Sequence, residues 1–245
     1  MGDLRVHPPD PYQAIAELYE AEHGQLDADL RFYAREGVNG PLLVLGCGTG
    51  RIGRTLGSCR RVTGLDASEE MLAVARRLAP EARYIRGDMR DFDLGRFAEI
   101  VIPNGAFNFL TTRADQQRCL ECCHRALAQG APLTIDTPLP DFRLLGTPHS
   151  PERLAWEGRL QGEEVRRTRE VHRHPVAQRL ELTDRYYAGE RLLATAELRL
   201  RLLFPGEAEW MLEAAGFTLE AVHGDYAKTP LRSDSPRLLI RALRL

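Results

Sequence analysis

Hydrophobic positions fall into two regimes along the chain. Up to about residue 138, short apolar runs at 42–45, 61–65, 82–86, 99–102 and 133–136 alternate with stretches whose apolar residues recur every three to four positions. Continuous runs of this length read as strands covered on both faces, and the intervening period reads as helices. Repetition of strand and helix at this spacing predicts right-handed crossovers, a parallel sheet, and a ligand crevice at the strand carboxyl ends. From about 153 to 203 the pattern changes to alternation of apolar and charged residues, broken by Gln161-Gly162, His174-Pro175 and Gly189-Glu190. That period of two predicts an antiparallel sheet inserted into the core. Pro205 and Gly206 then open a last helix at 207–215, stopped by Gly216, before a final strand pair at 217–223 and 238–245. Ahead of the first strand, Pro8 to Pro11 interrupt the chain, and 12–35 is amphipathic enough for two short helices split near Gly24.

The first strand runs straight into Gly46-Cys47-Gly48-Thr49-Gly50-Arg51, and Asp66 follows at the end of the second. Glycines there let backbone approach a ligand closely, and the neighbouring strand end adds one carboxylate, which suits a nucleoside with free ribose hydroxyls. Two registers fit: Gly46, Gly48 and Gly50, or the dinucleotide spacing Gly48, Gly50 and Gly53. The strand ends at Gly46, which favours the first. A second acid, Asp88, stands at the end of the third strand and can accept from an exocyclic adenine amine, with Met89 placed to pack on the ring.

At this point the chain resembles the class I S-adenosylmethionine-dependent methyltransferases, on LLVLGCGTGR, VTGLDASEEMLAVAR, YIRGDMRDF, and AEWMLEAAGF with SPRLLIRALRL. The resemblance implies a Rossmann-like α/β fold with a mostly parallel seven-stranded sheet and an antiparallel insertion before the last helix. It implies S-adenosylmethionine as cofactor, with Gly46, Cys47 and Gly48 along the methionine portion, Gly50 in the same turn, and Asp66 with Ala67 at the ribose. Asp88 with Met89 would frame adenine, and Met71 on the first turn of the helix after Asp66 is a further cofactor-binding candidate. The segment AIAELYEAEH is similar to a lid helix that closes over the cofactor, which brings in Tyr19, and Asn104 in PNGAFN would lie beside the transferred methyl group. The family usually carries an acid two positions before the first glycine; this chain has Val44.

The expected units are a helical lid at 1–40, a cofactor-binding core at 41–150, the inserted sheet at 151–204 as acceptor or dimer surface, and a helix with a strand pair at 205–245. Lid and insertion would choose the acceptor while the core holds the donor. Asn108 and Tyr226 are candidate substrate contacts. If a base is used, His23, His172 and Tyr226 are the available groups. The expected function is methyl transfer to an oxygen or nitrogen of a small molecule. Alternatives are a non-catalytic module that only binds the methyl donor, and a nicotinamide-dependent oxidoreductase. The latter lacks a Tyr-x-x-x-Lys pair, since Lys228 is the only lysine and position 224 is glycine.

Composition changes this picture little. The net charge of −2 over 245 residues argues against nucleic-acid and anionic-membrane partners, and the insertion is nearly balanced, with 11 arginines against nine acids over 151–204. No run approaches a membrane span, and Met1 to Arg5 carry no signal-peptide core, so the expected location is the cytoplasm. Five cysteines argue against a disulfide framework. Cys119, Cys122 and Cys123, beside His124, share a helix face and could meet a metal, but small apolar packing is the expectation and no metal is assigned. His172 and His174 would point to one side of a strand, where a solvated sheet face is expected.

Overall fold

The computed structural model describes residues 10–245; Pro8, Pro9 and the opening MGDLR lie outside the described residues. Two short helices, α1 (Ala16–His23) and α2 (Ala28–Glu36), precede the core. The core runs β1 (Leu42–Leu45), α3 (Arg51–Leu56), β2 (Val62–Asp66), α4 (Glu69–Leu78), β3 (Arg83–Arg86), β4 (Glu99–Ile102), α5 (Arg113–Ala126) and β5 (Pro132–Pro138). The inserted strands are β6 (His149–Leu160), β7 (Glu163–His174), β8 (Arg179–Ala188) and β9 (Arg191–Arg201), and the chain closes with α6 (Pro205–Ala214), β10 (Phe217–His223) and β11 (Arg237–Arg244).

The main sheet has the order β10-β11-β5-β4-β1-β2-β3. The five core strands are parallel, and β11 runs antiparallel between β5 and β10. Strands β1 and β4 are buried throughout, as runs covered on both faces require. Local chemistry fixes the helix starts. The Ser68 hydroxyl accepts from the Met71 amide to cap α4, whose first turn carries Glu69 and Glu70 and whose last carries Arg76 and Arg77. Thr112 and Asp115 cap α5 reciprocally, the hydroxyl accepting from the Asp115 amide and donating to its carboxylate. Cys119 and Cys123 are fully buried in the main core beside Leu120 and Leu127, the packing role expected of them. His124 stacks edge-on against Phe217. The connection from β3 to β4 contains no helix.

The inserted strands form a separate four-stranded antiparallel sheet, β6-β7-β8-β9, whose strands extend further than the alternation alone suggests. Its apolar face, with Val165, Leu182, Tyr186, Ala196 and Leu198, packs on Leu18 of α1, on Ile15 just before that helix and on Phe109. The other side of α1 meets the core, where Ala16 joins Met71 and Val74 of α4. Helix α1 is therefore a shared wall between core and inserted sheet.

Candidate functional site: the glycine turn and its lid

Strand β1 ends where the Gly46 amide donates to the Leu65 carbonyl of β2, so Gly46 is the first residue of the turn. Gly46, Gly48 and Gly50 all have positive φ, at 69°, 52° and 80°, a region costly for residues with a Cβ. A Cβ on Gly46 would lie 2.4 Å from the Ala106 Cβ, whereas one on Gly48 would meet nothing within 4 Å. Gly46 is thus a packing glycine, and Gly48 borders open space: a cradle a side chain would fill. Cys47 turns its thiol back onto Gly64, leaving its backbone to the turn.

Asp66 stands at the adjacent strand end. Its carboxylate accepts from the Gly48 amide at 2.7 Å and the Ser68 amide at 3.0 Å. Burial raises the pKa of this carboxyl, against the lowering effect of the Ser68, Gly48 and Ala67 amides. The acid therefore shapes the turn as well as facing the crevice. Met71 is buried on α4, and the Met89 terminal methyl lies close to Gly46.

The third strand end differs from the expectation in one respect. The Asp88 carboxylate is held in a bidentate pair by Arg90, Nε donating to Oδ1 at 2.9 Å and Nη2 to Oδ2 at 2.5 Å, and Arg90 also reaches Asp115. Any adenine contact from Asp88 shares this carboxylate with a guanidinium.

Helices α1 and α2 are docked on the turn. Glu20 of α1 accepts from the Thr49 hydroxyl at 2.5 Å and from Arg54 at 2.9 Å, and buried Arg51 forms a bidentate pair with Asp29 of α2 at 2.9 Å. Tyr19 accepts from the Asn104 amide at 3.3 Å and stacks on His23 with centroids 4.2 Å apart. Tyr12 meets Tyr19 edge-on and also touches Phe109. Asn104 itself has φ of 47° and is held by its backbone amide on Asp136.

His23 Nδ1 donates to the Tyr19 carbonyl at 3.1 Å, and burial pushes its pKa down to about 4. The sign follows from linkage: the unfolded imidazole takes up a proton near its ordinary 6.5, which the folded one refuses until about 4. Stability is therefore complete above pH 6.5 and lost as pH falls towards 4, by up to about 3 kcal/mol from this group. Urea denaturation of His23→Phe, which keeps a ring against Tyr19, is expected to show a shallower loss across this window than the parent chain. Parallel curves would show that the proton goes elsewhere.

Between lid and insertion lies a charged layer that periodicity alone did not single out. Arg167 of β7 bridges Glu22 of α1 at 2.8 Å and Asp184 of β8 at 2.9 Å, and Arg169 adds two bonds of 2.6 Å to Asp184. A sequence signal existed: Arg167 and Arg169 are in phase with Val165 and Val171 on the face that packs inward.

Three proposed contacts are corrected. Asn108 is buried, with its amide donating to the Arg201 carbonyl at 2.6 Å and its oxygen accepting from the Thr137 hydroxyl, so it fastens β9 to the core and faces no acceptor. The Tyr226 hydroxyl donates to Asp136 at 2.9 Å and burial pushes its pKa up, which removes it as a base. His172 is exposed on the outer face of the inserted sheet, away from α1. Asp136 is the residue that sequence reasoning missed: fully buried on β5, it accepts from Tyr33 at 2.6 Å, from Tyr226, from the Asn104 amide and from Arg237 at 2.5 Å. Val44, where the family's usual acid would stand, is buried among Ile52, Val101 and Leu239.

A wide recess of about 690 Å³, lined by Val38, Pro41, Leu56 and Arg60, opens at the amino end of β1. Parallel sheets bind at the opposite end, where the glycines are.

A glycine turn closing β1, an acid closing β2 and a helix, α1, docked on the turn stand together at the carboxyl ends of the strands of a Rossmann-like α/β fold. Residues 42–130 match the family described as "Methyltransferase domain". Over 121 residues the chain is 37% identical to dTDP-3-amino-3,6-dideoxy-alpha-D-glucopyranose N,N-dimethyltransferase of Streptomyces fradiae, covering 44% of this chain and 46% of the relative, so it spans about half the length of that protein. The fold matches the CcbJ methyltransferase from Streptomyces caelestis at 21% identity and TM-score 0.79, over 96% of this chain and 99% of that one. It also matches S-adenosylmethionine-bound CalS10, an amino pentose methyltransferase from Micromonospora echinaspora, at 26% identity and TM-score 0.72, over 98% and 100%. Residues 42–130 thus carry a methyltransferase domain, and over nearly its whole length the chain shares the fold of S-adenosylmethionine-dependent methyltransferases, one of them with that cofactor bound.

Proposed function

We propose that the protein methylates an amino group on a small, sugar-like acceptor. The observation that carries this reading is the end-to-end similarity to an amino pentose methyltransferase, which takes in lid and inserted sheet as well as core. The partial similarity to a sugar N,N-dimethyltransferase points the same way.

When bound, S-adenosylmethionine supplies an electrophilic methyl group on a sulfonium. Gly46, Cys47, Gly48 and Gly50 offer backbone to its methionine portion, and the open space over Gly48 fits that role. Asp66 and Ala67 take the ribose, and Met71, Asp88 and Met89 surround adenine. Tyr19 and Asn104, already joined to each other, lie over the reacting end. The acceptor approaches from the side of Tyr12, whose ring meets Tyr19 edge-on and touches Phe109.

Holding an amine against a methyl carbon in line accounts for much of such a rate enhancement, on the order of 7–11 kcal/mol at best. A neutral amine attacks with its own lone pair, so no strong base is required. His23, whose lowered pKa keeps it neutral, stays unprotonated beside Tyr19, and the proton of the methylated ammonium product passes to solvent water.

The test is incubation with S-adenosylmethionine and dTDP-3-amino-3,6-dideoxyglucose, in parallel with the 3-hydroxy analogue, followed by mass spectrometry. Addition of one or two methyl groups to the amine alone is expected. Methylation of the hydroxy sugar and not the amine would replace nitrogen by oxygen as the acceptor atom.

A further inference from the structure

The outer face of the inserted sheet brings together three side chains that the methyl-transfer site does not use. His149, the first residue of β6, is the direct cross-strand partner of His172 on β7, and Glu170 lies two residues before His172 on the same face. The two imidazole rings stack with centroids 4.4 Å apart. One carboxylate oxygen of Glu170 lies 3.0 Å from His149 Nε2 and 3.4 Å from His172 Nε2. All three donor atoms fall within 4.8 Å of one another. The pairing of His172 with His174 suggested by their spacing is thus replaced by a pairing across strands, and His174 turns to Glu181 at 3.5 Å.

We propose that His149, Glu170 and His172 form a surface site for a divalent transition-metal ion of the zinc class, joining β6 to β7. The donor set is two imidazoles and one carboxylate, which zinc takes readily, with water completing the sphere. Zinc–nitrogen and zinc–oxygen bonds of about 2.0–2.2 Å at tetrahedral angles separate neighbouring donors by roughly 3.3 Å. The two imidazole-to-carboxylate separations already have that length. The two nitrogens lie within 4.8 Å of each other, and rotation of two exposed side chains sets their final separation. Arg185 lies 3.5 Å from the second Glu170 oxygen but is drawn to Glu152 at 2.8 Å, and Glu181 stands opposite His172 on β8, so three carboxylates face one guanidinium around the site. Exposure makes ion entry direct.

The position gives the ion a structural consequence. His149 is where the linker 139–148 from the core becomes the first strand of the insertion. Cross-linking that residue to β7 fixes the entry of the linker into the sheet.

The test uses the full chain without a histidine tag, in a Cys59→Ser background that removes the exposed thiol. Calorimetric titration with zinc chloride is expected to show one equivalent per chain. His149→Ala and His172→Ala should each weaken it by more than about tenfold, and Glu170→Gln should weaken it measurably. His174→Ala should leave it unchanged. Melting curves should rise with zinc for the parent and not for the His149→Ala/His172→Ala variant, while the two melt alike without metal. Cobalt(II) provides a readout independent of any variant: tetrahedral nitrogen and oxygen ligation gives visible bands without a thiolate charge-transfer band. Absence of saturable binding by the parent, survival of binding in the double variant, or a thiolate band would each overturn the site.

Discussion

Asp66→Ala is expected to weaken S-adenosylmethionine binding by about 10- to 150-fold for each ribose hydrogen bond lost. A hydrogen bond to a charged group contributes roughly 1.5–3 kcal/mol, and each 1.4 kcal/mol is about tenfold in affinity. The structure adds a second loss. The same carboxylate holds the amides of Gly48 and Ser68, so alanine also frees a turn whose glycines lie at positive φ. Calorimetry with S-adenosylmethionine on the folded variant measures the sum. Unchanged affinity would remove Asp66 from the cofactor site.

Asp136→Ala is expected to cost about 3–5 kcal/mol of stability, because removing one member of a buried ion pair leaves the other charge uncompensated. Arg237, with 16% of its side chain exposed, would lose its partner, and the hydroxyls of Tyr33 and Tyr226 would lose their acceptor. Adding Arg237→Met should recover part of the loss by removing the stranded charge, but not the part owed to the tyrosines. Urea denaturation of the single and double variants separates the two. A loss below about 1 kcal/mol would place this pair with ordinary surface ion pairs.

These two residues also mark the limit of what local sequence carries. Asp66 was legible because a strand, a glycine turn and an acid at the next strand end lie within twenty-five positions and obey one geometric rule. The Ser68 cap, the break between α1 and α2 near Gly24 and the antiparallel insertion were legible for the same reason: each is a short-range pattern with a physical cause. Asp136 was not, since its partners Tyr33 and Arg237 lie 103 and 101 residues away. Asn108 looked like a free polar group at a strand end, and only the return of β9 gives it the Arg201 carbonyl. Asp88 was correctly placed at its strand end, while its clamp by Arg90, only two positions on, requires a side-chain conformation that spacing does not fix. His172 was grouped with His174 by parity, although register, set by the hairpin, gives it to His149.

The position of α1 bears on how this scaffold could be re-engineered. A chimera that exchanged only the inserted strands for those of a relative would set a foreign face against Ile15 and Leu18, and would leave Glu22 buried opposite an unknown residue where Arg167 now sits. Because Glu20 on the same helix grips Thr49 and Arg54, that mismatch would be transmitted to the glycine turn. The transplantable module is therefore discontinuous in sequence: α1 and the inserted sheet travel together, and a graft that respects this boundary keeps the contacts of Glu20 with Thr49 and Arg54 at the glycine turn.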